Sequence, residues 1–209
     1  VQGSYVGTLS VSYSKGDHAE AESAAVLVNT EGPKAAVKIS PDPFSPDNDG
    51  LDDELNIALS VRDASEIESW SFEVDEVAVV EGAKPGDAPK KRVFIAWSGK
   101  GNPASAISWD GRSAKGELVE SATDYPYTFT VKDELGNSTT VTGLISVDVL
   151  VIRDGDRLKI KVPSIVFRAN YADFVGLPRD VVARNERVVY RIAEILNKFR
   201  DYRIQVEGH

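Results

Sequence analysis

The chain has 209 residues and a formal net charge of −9; it is 42% hydrophobic and 27% charged, with no cysteine, no methionine and two histidines. Without cysteine there is no thiol nucleophile, disulfide or thiolate zinc site, and with His18 and His209 at opposite ends a histidine-based metal centre or catalytic triad is not expected. No apolar run is long enough to cross a bilayer, so no membrane insertion by this chain is expected, and the absence of methionine marks a processed or excised piece whose missing signal segment is silent on destination.

Charge is unevenly divided. Residues 151–209 hold twelve basic against eight acidic side chains, a net of +4, which leaves −13 for residues 1–150. Such a split indicates modules with different surfaces, and the acidic part argues against nucleic acid as a partner.

Residues 1–32 read as a β-hairpin turning at Gly16-Asp17. The stretch "YVGTLSVSYSKGDHAEAESAAVLVNT" aligns with the later "YPYTFTVKDELGNSTTVTGLISVDV". Tyr5 matches Tyr125, Thr8 matches Thr128, Val11 matches Val131 and Gly16-Asp17 matches Gly136-Asn137. With one residue of slippage, Val28-Asn29 matches Val147-Asp148. Two readings fit: a remnant closing hairpin of a preceding β domain, or chance similarity between two tyrosine-rich hairpins.

Residues 33–150 read as all-β. Period-two alternation in "LNIALSVRD", "SWSFEVDEV", "KRVFIAWSG" and "YPYTFTVKD" puts one face of each strand inward. Turn signals at Asp49-Gly50, Asp110-Gly111 and Gly136-Asn137 separate them, and "EGAKPGDAPKK" reads as a long hairpin loop or a disordered insertion. Strand number and spacing suit a two-sheet sandwich. Trp70, Trp97 and Trp109 are expected in its core rather than as exposed stacking platforms for sugars.

Residues 151–209 predict strand, helix, strand. "LKIKVPSIVF" is the first strand. A helix follows from Pro178 and Asp180, with an apolar stripe of Val188, Ile192, Ile195 and Phe199 widened by Val189 and Leu196. Glu194 and Lys198 make a favourable i,i+4 pair, the basic residues form the wet face, and "YRIQVEG" is the second strand. The overall expectation is mainly β: a sandwich followed by a partial α/β (βαβ) unit.

The sharpest local motif is "SPDNDGLDDE". Asp47, Asp49, Asp52 and Asp53 surround Gly50, and a tight acidic loop suits calcium, which prefers several carboxylate oxygens. The EF-hand spacing fails, because Ser45 and Asn56 fall where its first and last ligands belong. The alternative is an Asp-rich turn whose carboxylates cap backbone amides. Lys90-Lys91-Arg92 reads as a basic strand edge that discourages pairing. Glu207 beside His209 has no nucleophile in company, so no catalytic set is expected and the chain is not expected to be an enzyme.

Two resemblances follow from these residues. "IKVPSIVFRANYADF" with "NERVVYRIAEILNKFRDYRIQVEGH" resembles the first half of the OmpA-like C-terminal domain, through Ile165 and Phe167, Asn185, Ile195-Leu196, and Val206, Gly208 and His209. In that family Gly-His leads to an Asp and an Arg that grip the diaminopimelate of peptidoglycan, the one pairing its ammonium and the other its carboxylate. The chain stops before both positions, so the resemblance implies peptidoglycan as a partner of the complete parent only. "PDPFSPDNDGLDDELNIALSV", Trp109-Asp110-Gly111, Gly116, Tyr125 and Asp133 through Asn137 resemble the FlgD-type Ig-like domain of flagellar hook-capping and bacterial surface proteins, a spacer without catalytic residues. Together they imply an Ig-like β-sandwich and the first half of an OmpA-like domain, in an envelope protein of the kind found in spirochaetes. Its expected role is to space and anchor between outer membrane and peptidoglycan, in the periplasm or associated with the outer membrane, with another envelope protein as a further partner. The alternative is a calcium- or partner-binding surface adhesin.

Overall fold

The computed structural model describes residues 2–78, 90–154, 157–160, 162, 165–198, 200 and 203–205. These residues form thirteen strands and one helix, so the chain is mainly β. At the N-terminal end, β1 (Gly3–Tyr5) pairs with β4 (Val26–Val28) and β2 (Thr8–Ser12) with β3 (His18–Glu22), making a two-part hairpin. Next come β5 (Lys34–Ser40), β6 (Leu55–Arg62), β7 (Ile67–Ala78), β8 (Lys90–Lys100), β9 (Ala106–Trp109), β10 (Asp124–Asp133) and β11 (Ser138–Ser146). The chain continues with β12 (Val151–Asp154), β13 (Arg157–Ile160) and α1 (Arg179–Lys198).

Alternation builds the centre. In β6, Leu55, Ile57 and Leu59 are buried while Asn56 and Ser60 are exposed; in β10, Tyr125, Tyr127, Phe129 and Val131 are buried. The antiparallel sheet β5-β6-β9 and the antiparallel sheet β11-β10-β7-β8 share one apolar core. Phe72 sits at its heart, stacked on Tyr127 at 5.1 Å between ring centroids and tilted against Phe129 at 6.0 Å. Burying each such side chain contributes about 1.5–3 kcal/mol. Trp109 is buried and donates its indole N–H to the Arg112 carbonyl oxygen at 2.8 Å, while Trp70 and Trp97 are half-buried against the same core. Gly111, at φ +77°, lets the turn after Trp109 close, because a Cβ there would lie 2.8 Å from the ring of Pro46. Most of the expected "EGAKPGDAPKK" loop, residues 81–89, lies outside the described residues.

The two hairpins share their register. Thr8 faces Glu22 and Ser12 faces His18, just as Thr128 faces Thr142 and Lys132 faces Ser138, each position moved by 120. The turns match as well. Tyr13 N–H donates to Asp17 O and Gly16 N–H to Tyr13 O, as Asp133 N–H donates to Asn137 O and Gly136 N–H to Asp133 O. One extra residue in the return strand then brings Tyr5 opposite Val26, as Tyr125 is opposite Ile145.

The C-terminal part departs from strand–helix–strand. β12 and β13 pair as an antiparallel ribbon, Val151 opposite Ile160 and Asp154 opposite Arg157, so the expected first strand folds back on the residues before it. Local antiparallel pairing closes a far shorter loop than a parallel crossover. Ile165–Phe167, expected in that strand, carries no strand ladder. Of the expected second strand, Arg203–Gln205 is not in a strand, and Tyr202 and Val206–Gly208 lie outside the described residues. Along α1, Val188 and Ile195 are buried and Ile192 and Leu196 half-buried, but Val189 is exposed; Phe199 and the Lys198 side chain lie outside the described residues. The helical period explains this: Val189 sits one position round from Val188 and therefore falls off the inward stripe.

Candidate functional site

The acidic turn lies between β5 and β6. Phe44 anchors its entry: the side chain is fully buried, its N–H donates to Ser146 O at 2.9 Å, and its carbonyl accepts from Asp148 N–H at 2.8 Å. Beyond it the backbone turns sharply, with left-handed φ at Asn48, Gly50 and Asp52. Asn and Asp tolerate this region because short polar side chains compensate locally.

Carboxylates hold the turn. Asp53 accepts from the N–H groups of Asn48 and Gly50, at 2.5 and 2.7 Å, and Asp49 accepts from Leu51 N–H at 2.8 Å. Asp47 Oδ2 accepts from Val151 N–H at 3.0 Å, tying the turn to the start of β12. One oxygen from each of Asp47, Asp49 and Asp53 lies within 4.8 Å of the others. Asp52, the fourth expected ligand, is not in this group; its side chain is exposed and its left-handed backbone, whose carbonyl accepts from Ser45 N–H at 3.1 Å, is what serves the turn.

Asp47 Oδ1 is buried and has no hydrogen-bond partner among the described residues. Burial pushes the Asp47 carboxyl above its ordinary value; the Val151 amide opposes this, and the negative charges of Asp49 and Asp53 add to the rise. A calcium ion takes 6–8 oxygen ligands at about 2.3–2.6 Å. The three carboxylates fit part of such a shell, with Asp47 Oδ1 supplying an oxygen that has no hydrogen-bond partner among the described residues.

A second polar centre, which sequence reasoning did not assemble, joins the N-terminal hairpin to the sandwich. Asn29 donates from Nδ2 to Asp63 Oδ1 at 2.9 Å, and its carbonyl accepts from Asn137 Nδ2 at 3.0 Å. Asp133, fully buried, accepts from Asn137 N–H at 2.7 Å, Asn137 Nδ2 at 2.8 Å and the Ser65 hydroxyl at 2.9 Å. Burial alone would raise the Asp133 carboxyl, but donors from Asn137, Ser65 and the Leu135 backbone outweigh it and hold the group below its ordinary value. The signals were the Asp-x-x-Gly-Asn and Asp-x-Ser turns, whose side chains are apt to capture nearby amides.

At the other end, Asn185 is buried in α1 and clamps the extended segment before the helix. Its Nδ2 donates to Val166 O at 2.8 Å and its Oδ1 accepts from Val166 N–H at 3.3 Å. Two basic residues expected only to face water dock the helix on the sandwich: Arg187 pairs with Asp124 at 3.2 Å, and Arg191 donates to Val147 O at 2.8 Å. No family model matches the chain, and no curated protein matches it. On β8, which forms the edge of its sheet, Arg92 pairs with Glu76 at 2.6 Å and Glu117 at 3.0 Å, so this strand edge carries paired charge. His18 shares a hydrogen bond with the Ser12 hydroxyl at 2.9 Å and is exposed; Glu207 and His209 lie outside the described residues.

Proposed function

We propose that the chain is a non-enzymatic structural module of a bacterial envelope protein, an Ig-like sandwich followed by the first half of an OmpA-like domain. It sets a fixed spacing and, in the complete parent, anchors toward peptidoglycan from the periplasm or the outer membrane. The observation that carries this reading is that both ends of the sandwich are fastened by hydrogen bonds rather than left on open linkers. Asn29 ties one end to Asp63 and Asn137, and Arg187 and Arg191 tie the other to Asp124 and Val147. A spacer needs such junctions, since a freely jointed chain transmits neither distance nor orientation. Asn185, which belongs to the OmpA-like motif, has a matching structural task in clamping Val166. Small-angle X-ray scattering tests the spacer: one narrow conformer is expected, with a largest dimension that a salt titration leaves unchanged, and a broad ensemble refutes it. Cosedimentation with peptidoglycan sacculi tests the anchor. Binding is expected only when the chain is extended through the rest of the OmpA-like domain, and failure of both forms removes peptidoglycan from the proposal.

A second reading, a calcium-binding surface module, is favoured by the unpartnered Asp47 Oδ1 beside Asp49 and Asp53. Calcium should then raise the melting temperature, and Asp49→Ala should abolish the rise. An unchanged melting temperature in millimolar calcium removes this reading.

A further inference from the structure

The N-terminal hairpin carries an uncovered apolar face. Tyr5, Leu9, Val11, Tyr13 and Val26 are exposed at 45, 65, 40, 57 and 58%. The counterparts of Tyr5, Leu9, Val11 and Val26 under the register match differ sharply: Tyr125, Phe129, Val131 and Ile145 are all buried in the core, while Tyr13 stands where the later hairpin has the buried Asp133. What covers those counterparts is visible within this chain. β7 pairs with the outer edge of β10, Phe72 opposite Phe129 and Trp70 opposite Val131, and the β5-β6-β9 sheet closes over the same core. In the N-terminal hairpin, the β2 edge that corresponds to this β10 edge has no ladder among the described residues. A bare two-stranded hairpin is marginal in water, and an exposed apolar face of this size marks an interaction surface.

We propose that this face is a docking surface for a β unit built like β5–β9, a five-stranded module lacking its last two strands and joined ahead of the hairpin as β5–β9 precede β10. Its β7-like strand pairs antiparallel with β2, placing apolar residues opposite Leu9 and Val11. Its second sheet covers Tyr5 and Val26. The register carries this assignment: the same pairing along Thr8–Ser12, the same turn bonds, and apolar residues at Tyr5, Leu9 and Val11 where β10 has Tyr125, Phe129 and Val131 specify the same kind of complement. Gly7 and Leu9 stand where β10 has Tyr127 and Phe129, so the complement must fill more volume there than β7 does. The inference does not depend on an envelope location.

The test joins a copy of residues 33–122 directly ahead of Gly3 in the otherwise full chain, preserving the spacing from Trp109 to the following hairpin strand. A second fusion adds Gly7→Tyr and Leu9→Phe to match the graft. Hydrogen exchange is read at Thr8–Ser12, and sedimentation of the unfused chain is measured in parallel. At least about 100-fold slower exchange in either fusion, with the unfused chain monomeric, is the expected result, since core strands open only with the whole module. Unchanged exchange in both fusions overturns the proposal. So does an unfused chain that dimerises and is returned to monomer by Leu9→Asp, because a second copy would then be the occupant.

Discussion

Replacing Asp133 with alanine should cost far more than an average substitution. The carboxylate accepts from Asn137 N–H, Asn137 Nδ2 and the Ser65 hydroxyl, at 2.7, 2.8 and 2.9 Å, in a fully buried position. Two of these donors have alternatives: the Ser65 hydroxyl also reaches Asp63 and Asn137 Nδ2 also reaches the Asn29 carbonyl. The half-buried Asn137 N–H has no such alternative among the described residues, and a donor left unmade away from water costs about 1–3 kcal/mol, with bonds to a charged acceptor worth about 1.5–3 kcal/mol each. Allowing for the two alternatives, the loss should be about 3–5 kcal/mol. For a domain of this size that lowers the melting temperature by roughly 10–20 °C. Urea unfolding at pH 7 measures the free energy and differential scanning calorimetry the temperature. The pH dependence supplies an independent check. A carboxyl whose folded value is held below its ordinary value stabilises the fold above that value, and the contribution is lost as pH falls through the lower folded value. The gap between wild type and Asp133→Ala should therefore narrow in acid. A loss below about 1 kcal/mol at pH 7, or a gap that stays constant into acid, refutes the reasoning.

Three further outcomes are expected. Phe72→Ala removes the ring stacked on Tyr127 and packed against Trp97 and Phe129, and should destabilise by about 3–5 kcal/mol in equilibrium unfolding. Asp47→Asn keeps an oxygen for Val151 N–H but removes a charge that burial and two neighbouring carboxylates disfavour. The raised folded value means the wild-type group loses stability as pH climbs from its unfolded toward its folded value, so the variant should melt higher at neutral pH without calcium and lose any calcium response. Asn29→Ala removes the side-chain bond to Asp63, and should broaden the scattering-derived distance distribution while leaving the core transition within about 0.5 kcal/mol, as for a substitution outside the core.

The strands were legible because burial on one face imposes a period of two, which Leu55-Ile57-Leu59 and Tyr125 to Val131 display. The hairpin match was legible for the same reason, reinforced by Gly16 and Gly136, both at positive φ. The partners of each strand were not. That β10 lies beside β7 depends on contacts about 55 residues apart, which no local pattern encodes. The Asn29 network joins positions separated by 34 and 108 residues and was invisible for the same reason. Asp52 falls outside the group of three carboxylates because counting acidic residues ignores where a left-handed backbone aims them. Only the start of the expected first C-terminal strand forms one, as β13, and its partner was not legible because an apolar run does not say whether its partner precedes or follows it.

The seat of Phe44 has a consequence for how the chain comes to be folded. Its backbone bonds to Ser146 and Asp148, and it bridges in parallel to Val147, so the sandwich is closed by partners more than a hundred residues later. Synthesis proceeds at about 5–20 residues per second, so Phe44 waits roughly 5–20 s for them to exist. Throughout that interval β5 and β6 present the apolar faces of an unfinished sheet. Completion of the core must therefore follow synthesis of its last strand, and a chain released before Val147 would carry those faces into solution, where unpaired strand edges associate.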